Sequence, residues 1–165
     1  MGFIRINPSA SVHESSVLTQ SNLAGCDIIL EEGVVIEPFV RILPCGGSGS
    51  IIIKQGAVLN VGVVIYGGGG VVIGPNTLIG AYTVISATTH NYLMRHKSIK
   101  NQGHKCNLKP ISIGADCWIG AHSFIGPELW IPDGCVFPNH SSIVKSYETE
   151  YAVFDYNLSP VFVRR

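Results

Sequence analysis

Ile113-Gly114-Ala115-Asp116-Cys117-Trp118-Ile119-Gly120-Ala121-His122-Ser123-Phe124-Ile125 carries a large branched aliphatic residue at every sixth position. The frame continues through Ile131, Phe137 and Ile143. Most of these residues are followed at once by a turn former, namely Gly114, Gly120, Gly126, Pro132 and Pro138. Four places after each comes a smaller residue: Cys117, Ser123, Leu129, Cys135 and Ser141. Upstream the same frame runs through Leu30, Ile36 and Ile42, then Ile53, Leu59 and Ile65, then Ile73, Ile79 and Ile85. A helix repeats about every 3.6 residues and a half-buried strand every 2, so a sustained period of six fits neither. A short strand followed by a corner does fit. Three such units close a triangular coil of about 18 residues, and coils stack at about 4.8 Å. The expected fold is all-β, a parallel β-helix solenoid.

In such a solenoid the branched side chains point inward and fill the prism, and each coil leans on its neighbours because none can bury a core alone. Extra residues must leave as loops, so breaks in the frame mark candidate sites. Three breaks stand out: the Gly-rich stretch 44–50, a two-residue slip at 67–70, and an extended excursion at about 90–110. At the N-terminus, Ile6, Val12 and Leu18 extend the hexad loosely into a first coil, and a short tail follows the last one.

Length and composition agree with one domain over residues 1–165. Charged residues make up 13% and the formal net charge is zero, which gives no reason to expect nucleic acid or an anionic membrane as partner. No apolar run approaches the roughly 18 residues of a membrane span, so no membrane insertion is expected. The first ten residues lack a charged start followed by an apolar run, so no secretory leader is read and the expected location is the cytoplasm. Low charge with ample apolar surface suggests faces buried in an oligomer, and a flat-sided prism suits cyclic packing. The five cysteines match no metal motif. Cys117 and Cys135 lie 18 apart and should stack in adjacent coils, where a disulfide is conceivable. Both occupy the small inward position, where a free thiol is simply a compact apolar group.

The excursion begins Thr88-Thr89-His90-Asn91-Tyr92 and re-enters the frame at Lys109-Pro110-Ile111-Ser112-Ile113. Long structureless loops in compact folds are often functional. It holds His90, His96 and His104, and imidazole is the side chain best able to take a proton near neutral pH. Any one of these can be a plain surface histidine; His90 is singled out because it stands where the frame fails.

Residues 86–125 resemble the hexapeptide-repeat O-acetyltransferases that modify sugars and surface polysaccharides. In that family a His in a short His-Asn element opens an excursion loop, which returns through an Ile-Gly-…-Trp-Ile-Gly-Ala run. Here the matching elements are His90-Asn91 and Ile113-Gly114-Ala115-Asp116-Cys117-Trp118-Ile119-Gly120-Ala121. The resemblance implies a left-handed β-helix assembled as a homotrimer, with acetyl-CoA as co-substrate in the groove between two prisms and no metal. His90 matches the family's catalytic base, which would take the proton of a sugar or glycan hydroxyl as that oxygen attacks the thioester directly. Asn91 and Tyr92 fall where the acceptor would bind. Trp118, Ala121, Asn139, Lys145 and Arg164 fall where the family meets CoA, the last two at its nucleotide and phosphate end.

Two positions depart from the family pattern. Glu128 and His140 each stand where a glycine is usual, and an imidazole at 140 could crowd CoA. These losses motivate an alternative, a non-catalytic trimeric scaffold. A lesser alternative resembles the γ-class carbonic anhydrases: His122 and His140 are 18 apart, should stack on one corner, and His90 would supply a third metal ligand.

Overall fold

The computed structural model of the protein describes residues 1–20, 22, 25–45, 47–105 and 108–165. Short strands, set by the β-branched hexad heads, wind through successive coils. The first coil holds β1 (Ile4–Ile6), β2 (Ser11–Val12) and β3 (Val17–Leu18), and the second β4 (Ile28–Leu30), β5 (Val35–Ile36) and β6 (Arg41–Leu43). The third holds β7 (Ile51–Ile53), β8 (Val58–Leu59) and β9 (Val64–Tyr66), and the fourth β10 (Val71–Ile73), β11 (Leu78–Ile79) and β12 (Val84–Ser86). After the excursion, with its short helix α1 (Ile99–Gln102), come β13 (Ile111–Ile113), β14 (Trp118–Ile119) and β15 (Phe124–Ile125). The last coil is β16 (Trp130–Ile131), β17 (Val136–Phe137) and β18 (Ser142–Ile143), followed by β19 (Ala152–Phe154) and β20 (Pro160–Val163).

Among the described residues these strands form three sheets, one per face of the prism. The first face runs β1-β4-β7-β10-β13-β16, the second β2-β5-β8-β11-β14-β17-β19-β20, and the third β3-β6-β9-β12-β15-β18. Pairing within the coils is parallel throughout, and only β20 turns back antiparallel on β19. The hexad heads sit in register. On the first face Ile6, Leu30, Ile53, Ile73, Ile113 and Ile131 form one inward column. Ile79, Ile119 and Phe137 continue a second column, and Ile85, Ile125 and Ile143 a third. From the second coil onward these side chains are shielded from water, each contributing about 1.5–3 kcal/mol of transfer free energy.

The small fourth position is buried as expected, and from the fourth coil onward several of its residues are hydroxyls, Thr77, Thr83, Ser123 and Ser141. The Thr77 hydroxyl donates to the Gly114 carbonyl (2.7 Å) and accepts from the Cys117 amide (3.1 Å). Ser123 donates to Gly120 (2.7 Å) and accepts from the Ser141 amide (3.1 Å). Buried hydroxyls therefore tie corner to corner along the axis. Cys117 and Cys135 are free thiols, and burial pushes the Cys117 thiol up to about 12. Cys106 lies outside the described residues.

The corners turn differently from the sequence expectation. Gly114 and Gly120 do not carry the sharp backbone turn; they lie where an added Cβ would meet Asp133 and Asn139 of the next coil. The left-handed conformation falls two residues later, at Asp116 (φ 52°), His122 (φ 56°), Glu128 (φ 59°) and His140 (φ 62°). Gly114 and Gly120 permit close stacking, while the positive dihedral falls on side-chain-bearing residues at these four corners and on glycine at others, such as Gly62 and Gly134.

The two ends of the prism differ. At the C-terminal end Phe137, Tyr147 and Phe154 close the core, with ring centroids 4.4–5.1 Å apart. At the N-terminal end the inward Ile6 remains 44% exposed. Truncating an inward residue should therefore cost very different amounts along the axis. Ile119→Ala should lower unfolding stability by about 2–5 kcal/mol. Ile6→Ala should cost well under half as much, as read from denaturant midpoints at equal m-value.

Candidate functional site

The three breaks in the frame are stacked on a single corner of the prism, between the third and first faces. The Gly-rich stretch 44–50 joins β6 to β7, the slip 67–70 joins β9 to β10, and the excursion 87–110 joins β12 to β13. The backbones are in intimate contact. The Gly49 amide donates to the Gly68 carbonyl (3.2 Å), and the Gly69 amide donates to the Ala87 carbonyl (2.7 Å). A Cβ on Gly49 would collide with the backbone of Gly70, and one on Gly69 would press on Leu108 and the Ala87 carbonyl. Glycine is needed here because one turn lies flat beneath the next. The excursion thus leaves and returns over a rigid platform.

Above this platform the excursion is held by its own side chains. His90 and His104 pair as an isolated antiparallel bridge, with ring centroids 4.3 Å apart at 34°. The Asn91 side-chain amide donates to the Gln102 carbonyl (3.2 Å) and the His104 carbonyl (3.0 Å), while its backbone amide donates to Gly103 (2.9 Å). Gln102, buried on α1, donates to the carbonyls of Met94 (3.0 Å) and Lys97 (2.8 Å) and accepts from the Met94 amide (3.1 Å). The return limb is held by Glu128, on the same corner one coil later. Its Oε2 lies 3.3 Å from Lys105 Nζ, and its Oε1 accepts from the Lys109 amide at 3.3 Å. The Lys109 amide, then Lys105, hold the Glu128 carboxyl below its ordinary range.

The expected site residues occupy different corners. His90, Asn91 and Tyr92 lie on the excursion, with Tyr92 exposed. Trp118 lies on the second face, outward, in an apolar row with Leu78 below and Val136 above. Ala121 and Asn139 lie at the corner between the second and third faces, where the Ala121 amide donates to Asn139 Oδ1 (2.8 Å). Lys145 follows β18 and sits with its Nζ 5.7 Å from the centre of the Tyr147 ring. Arg164, at the corner between the first and second faces, pairs with Asp116 (2.7 Å) over the Tyr151 ring. With Arg165 it borders an open cavity of about 370 Å³. One protomer therefore brings His90 together with Asn91 and His104, but not with Trp118 or the other expected CoA contacts.

His122 and His140 stack as their spacing predicts, with centroids 5.3 Å apart at 11°, and Tyr82 extends the stack below His122 (5.2 Å, 17°). Imidazole lone pairs lie in the ring plane, so near-parallel rings do not aim them at one ion held at about 2.0–2.1 Å. His90 is on another corner. The three-histidine metal arrangement is not formed within this chain, and among the described residues no group of three His, Cys, Asp or Glu converges. Two residues with a place at the site escaped the sequence reading. Gln102 is an ordinary polar residue until the loop folds around it, and Glu128 was visible only as a departure.

The fold is a left-handed β-helix, and the resemblance to hexapeptide-repeat acetyltransferases is borne out by the proteins it matches. The putative colanic acid biosynthesis acetyltransferase WcaF of Escherichia coli K12 is 29% identical over 115 residues, 70% of this chain and 58% of that protein. The galactoside O-acetyltransferase of the same organism is 35% identical over 75 residues, 46% of this chain and 35% of the relative. The chain thus spans little more than half of the first relative and about a third of the second. Among solved structures, a variant of AntD, an N-acyltransferase from Bacillus cereus in complex with dTDP and coenzyme A, superposes with a TM-score of 0.69 at 17% identity. That superposition covers 99% of this chain and 84% of AntD. No protein-family profile matches the chain.

Two measurements check the wiring of the loop. Gln102→Leu should strip the Met94 and Lys97 carbonyls of their donor and speed amide exchange across 94–102 by about 10-fold, with little change in global stability. The Lys109 amide shift should titrate with Glu128, with a midpoint below the ordinary range of a glutamate carboxyl. Because the folded carboxyl is depressed, its contribution is complete above the unfolded pKa and is lost as pH falls through the folded one.

Proposed function

We propose that the protein transfers an acetyl group from acetyl-CoA to a hydroxyl of a sugar or polysaccharide precursor, with His90 as general base. The observation that carries this reading is His90 itself. It is exposed, yet its backbone is fixed by the bridge to His104, on a loop seated over stacked glycine turns. An imidazole held in this way can meet an acceptor without first being ordered. The acetyltransferase relatives supply the reaction class.

In the proposed step a neutral His90 nitrogen takes the acceptor proton as the hydroxyl oxygen attacks the thioester carbon. The tetrahedral intermediate collapses with loss of the CoA thiolate, which recovers the proton from the imidazolium. Ester and free CoA thiol are the products, and no covalent enzyme intermediate is needed. Hydrogen-bond donors near the carbonyl oxygen would stabilise the intermediate.

For CoA, the residues present offer a partial fit. Trp118 is 51% exposed in an apolar row suited to the pantetheine arm, and Lys145 is an exposed cation. Ala121 has given its amide to Asn139, and Arg164 is engaged by Asp116, so a phosphate at Arg164 would compete with that pair. His140 lies face-on against His122, which leaves its outer side open to CoA. The separation of His90 from Trp118 within one protomer supports a homotrimeric assembly in which the loop of one copy meets the second face of another. Among the described residues no helix is long and apolar enough to cross a membrane. Use of acetyl-CoA fits a cytoplasmic location.

Calorimetry with acetyl-CoA tests the reading first, and micromolar binding near one site per protomer is expected. His90→Ala should then lower kcat by about 10²–10⁴-fold on a hydroxyl-bearing acceptor with CoA affinity little changed. Turnover confined to amino sugars would redirect the acceptor to an amine. Absence of CoA binding up to millimolar concentration would favour the scaffold. Sedimentation should give three copies, and Trp118→Glu should weaken that assembly.

A further inference from the structure

We infer that Glu128 is a positioning residue for the imidazole pair on the excursion, acting through Lys105 and Lys109 on the return limb that carries His104. The inference rests on the acyl-transfer reading for its functional consequence, but its geometry stands apart. Glu128 occupies a corner residue with φ 59°, a conformation that glycine would adopt with less cost. The chain bears that cost and uses the side chain in two directions at once. One carboxylate oxygen faces Lys105 Nζ and the other accepts the Lys109 amide, 3.3 Å in each case. Lys105 is next to His104, and its own amide donates to the Thr89 carbonyl (2.8 Å), immediately before His90. A continuous path therefore runs from the Glu128 corner through Lys105 to both limbs of the bridge. The first limb is seated from below, where Gly68 and Gly69 underlie Ala87 and Thr88. The return limb is pinned from above by Glu128. Exposed ion pairs contribute little to global stability, and the same weak bias suffices to select one arrangement of a surface loop.

The test separates positioning from folding and from the reaction. Glu128→Gly relieves the corner and removes the clamp, so the melting temperature should hold or rise. The side-chain 15N signals of His90 and His104 should meanwhile shift or broaden, and the Lys105 amide should exchange about 5-fold faster or more. With acetyl-CoA as donor, kcat should fall by a similar factor at unchanged KM for acetyl-CoA. Lys105→Met should reproduce part of the effect, and the double variant should be no worse than Glu128→Gly. Glu128→Gln, which keeps the length but not the charge, should lie between. Imidazole signals unaltered in Glu128→Gly, or additive effects of the two substitutions, would overturn the inference whatever the turnover. Altered imidazole signals in a protein that shows no acyl transfer would leave the clamp standing and remove the proposed reaction instead.

Discussion

In-register stacking of identical inward side chains is the constraint on which everything else depends. Each coil presents its neighbours with the same three branched residues, so the columns through Ile113, Ile119 and Ile125 bury one another. The stacking tolerates no extra residue inside the prism. Insertions must leave at a corner, and once one coil has expelled a loop, the next does so with least disturbance at the same place. The Gly-rich turns at 44–50 and 67–70 and the excursion at 87–110 accordingly share one corner, with backbone packed directly on backbone.

That geometry turns a repetitive scaffold into a directional one. Two corners carry compact turns, ordered by buried hydroxyls and by stacked rings. The third carries the loop with His90 and His104. Weak local bonds then suffice to shape the site, because the platform beneath is rigid: the amides of Asn91 and Gln102 close the loop on itself, and Glu128 ties its return to the next coil.

Glu128 and His140 show how a departure from a family pattern can be read. Both stand where glycine is usual, and both prove to be corners of positive φ. Losing glycine there costs backbone energy, which is offset when the new side chain makes contacts that glycine does not. Glu128 gains a loop to hold. His140 gains the face of His122, a ring stack one coil apart. Neither change closes the corner.

The period of six determined the coil, the columns and three of the breaks, at 44–50, 67–70 and 90–110, though not the longer link from β3 to β4, because inward burial depends only on the order of large and small residues. The stacking of His122 on His140 followed from the same arithmetic. Sequence also marked His90, since an excursion is visible wherever the period fails. It did not reveal which residues hold the loop. Gln102 and Glu128 act on partners brought near by the return of the chain, and no local pattern encodes that return. Nor did it separate glycines that allow stacking from the corners that carry positive φ, for the close approach of the next coil at Gly114 and the left-handed dihedral at Asp116 are both properties of the wound chain. The separation of His90, on one corner, from Trp118, on the second face, is likewise a property of the wound chain. His90 leaves at the corner after β12 and Trp118 lies on the next face but one, and they face different directions because a triangular prism has three sides.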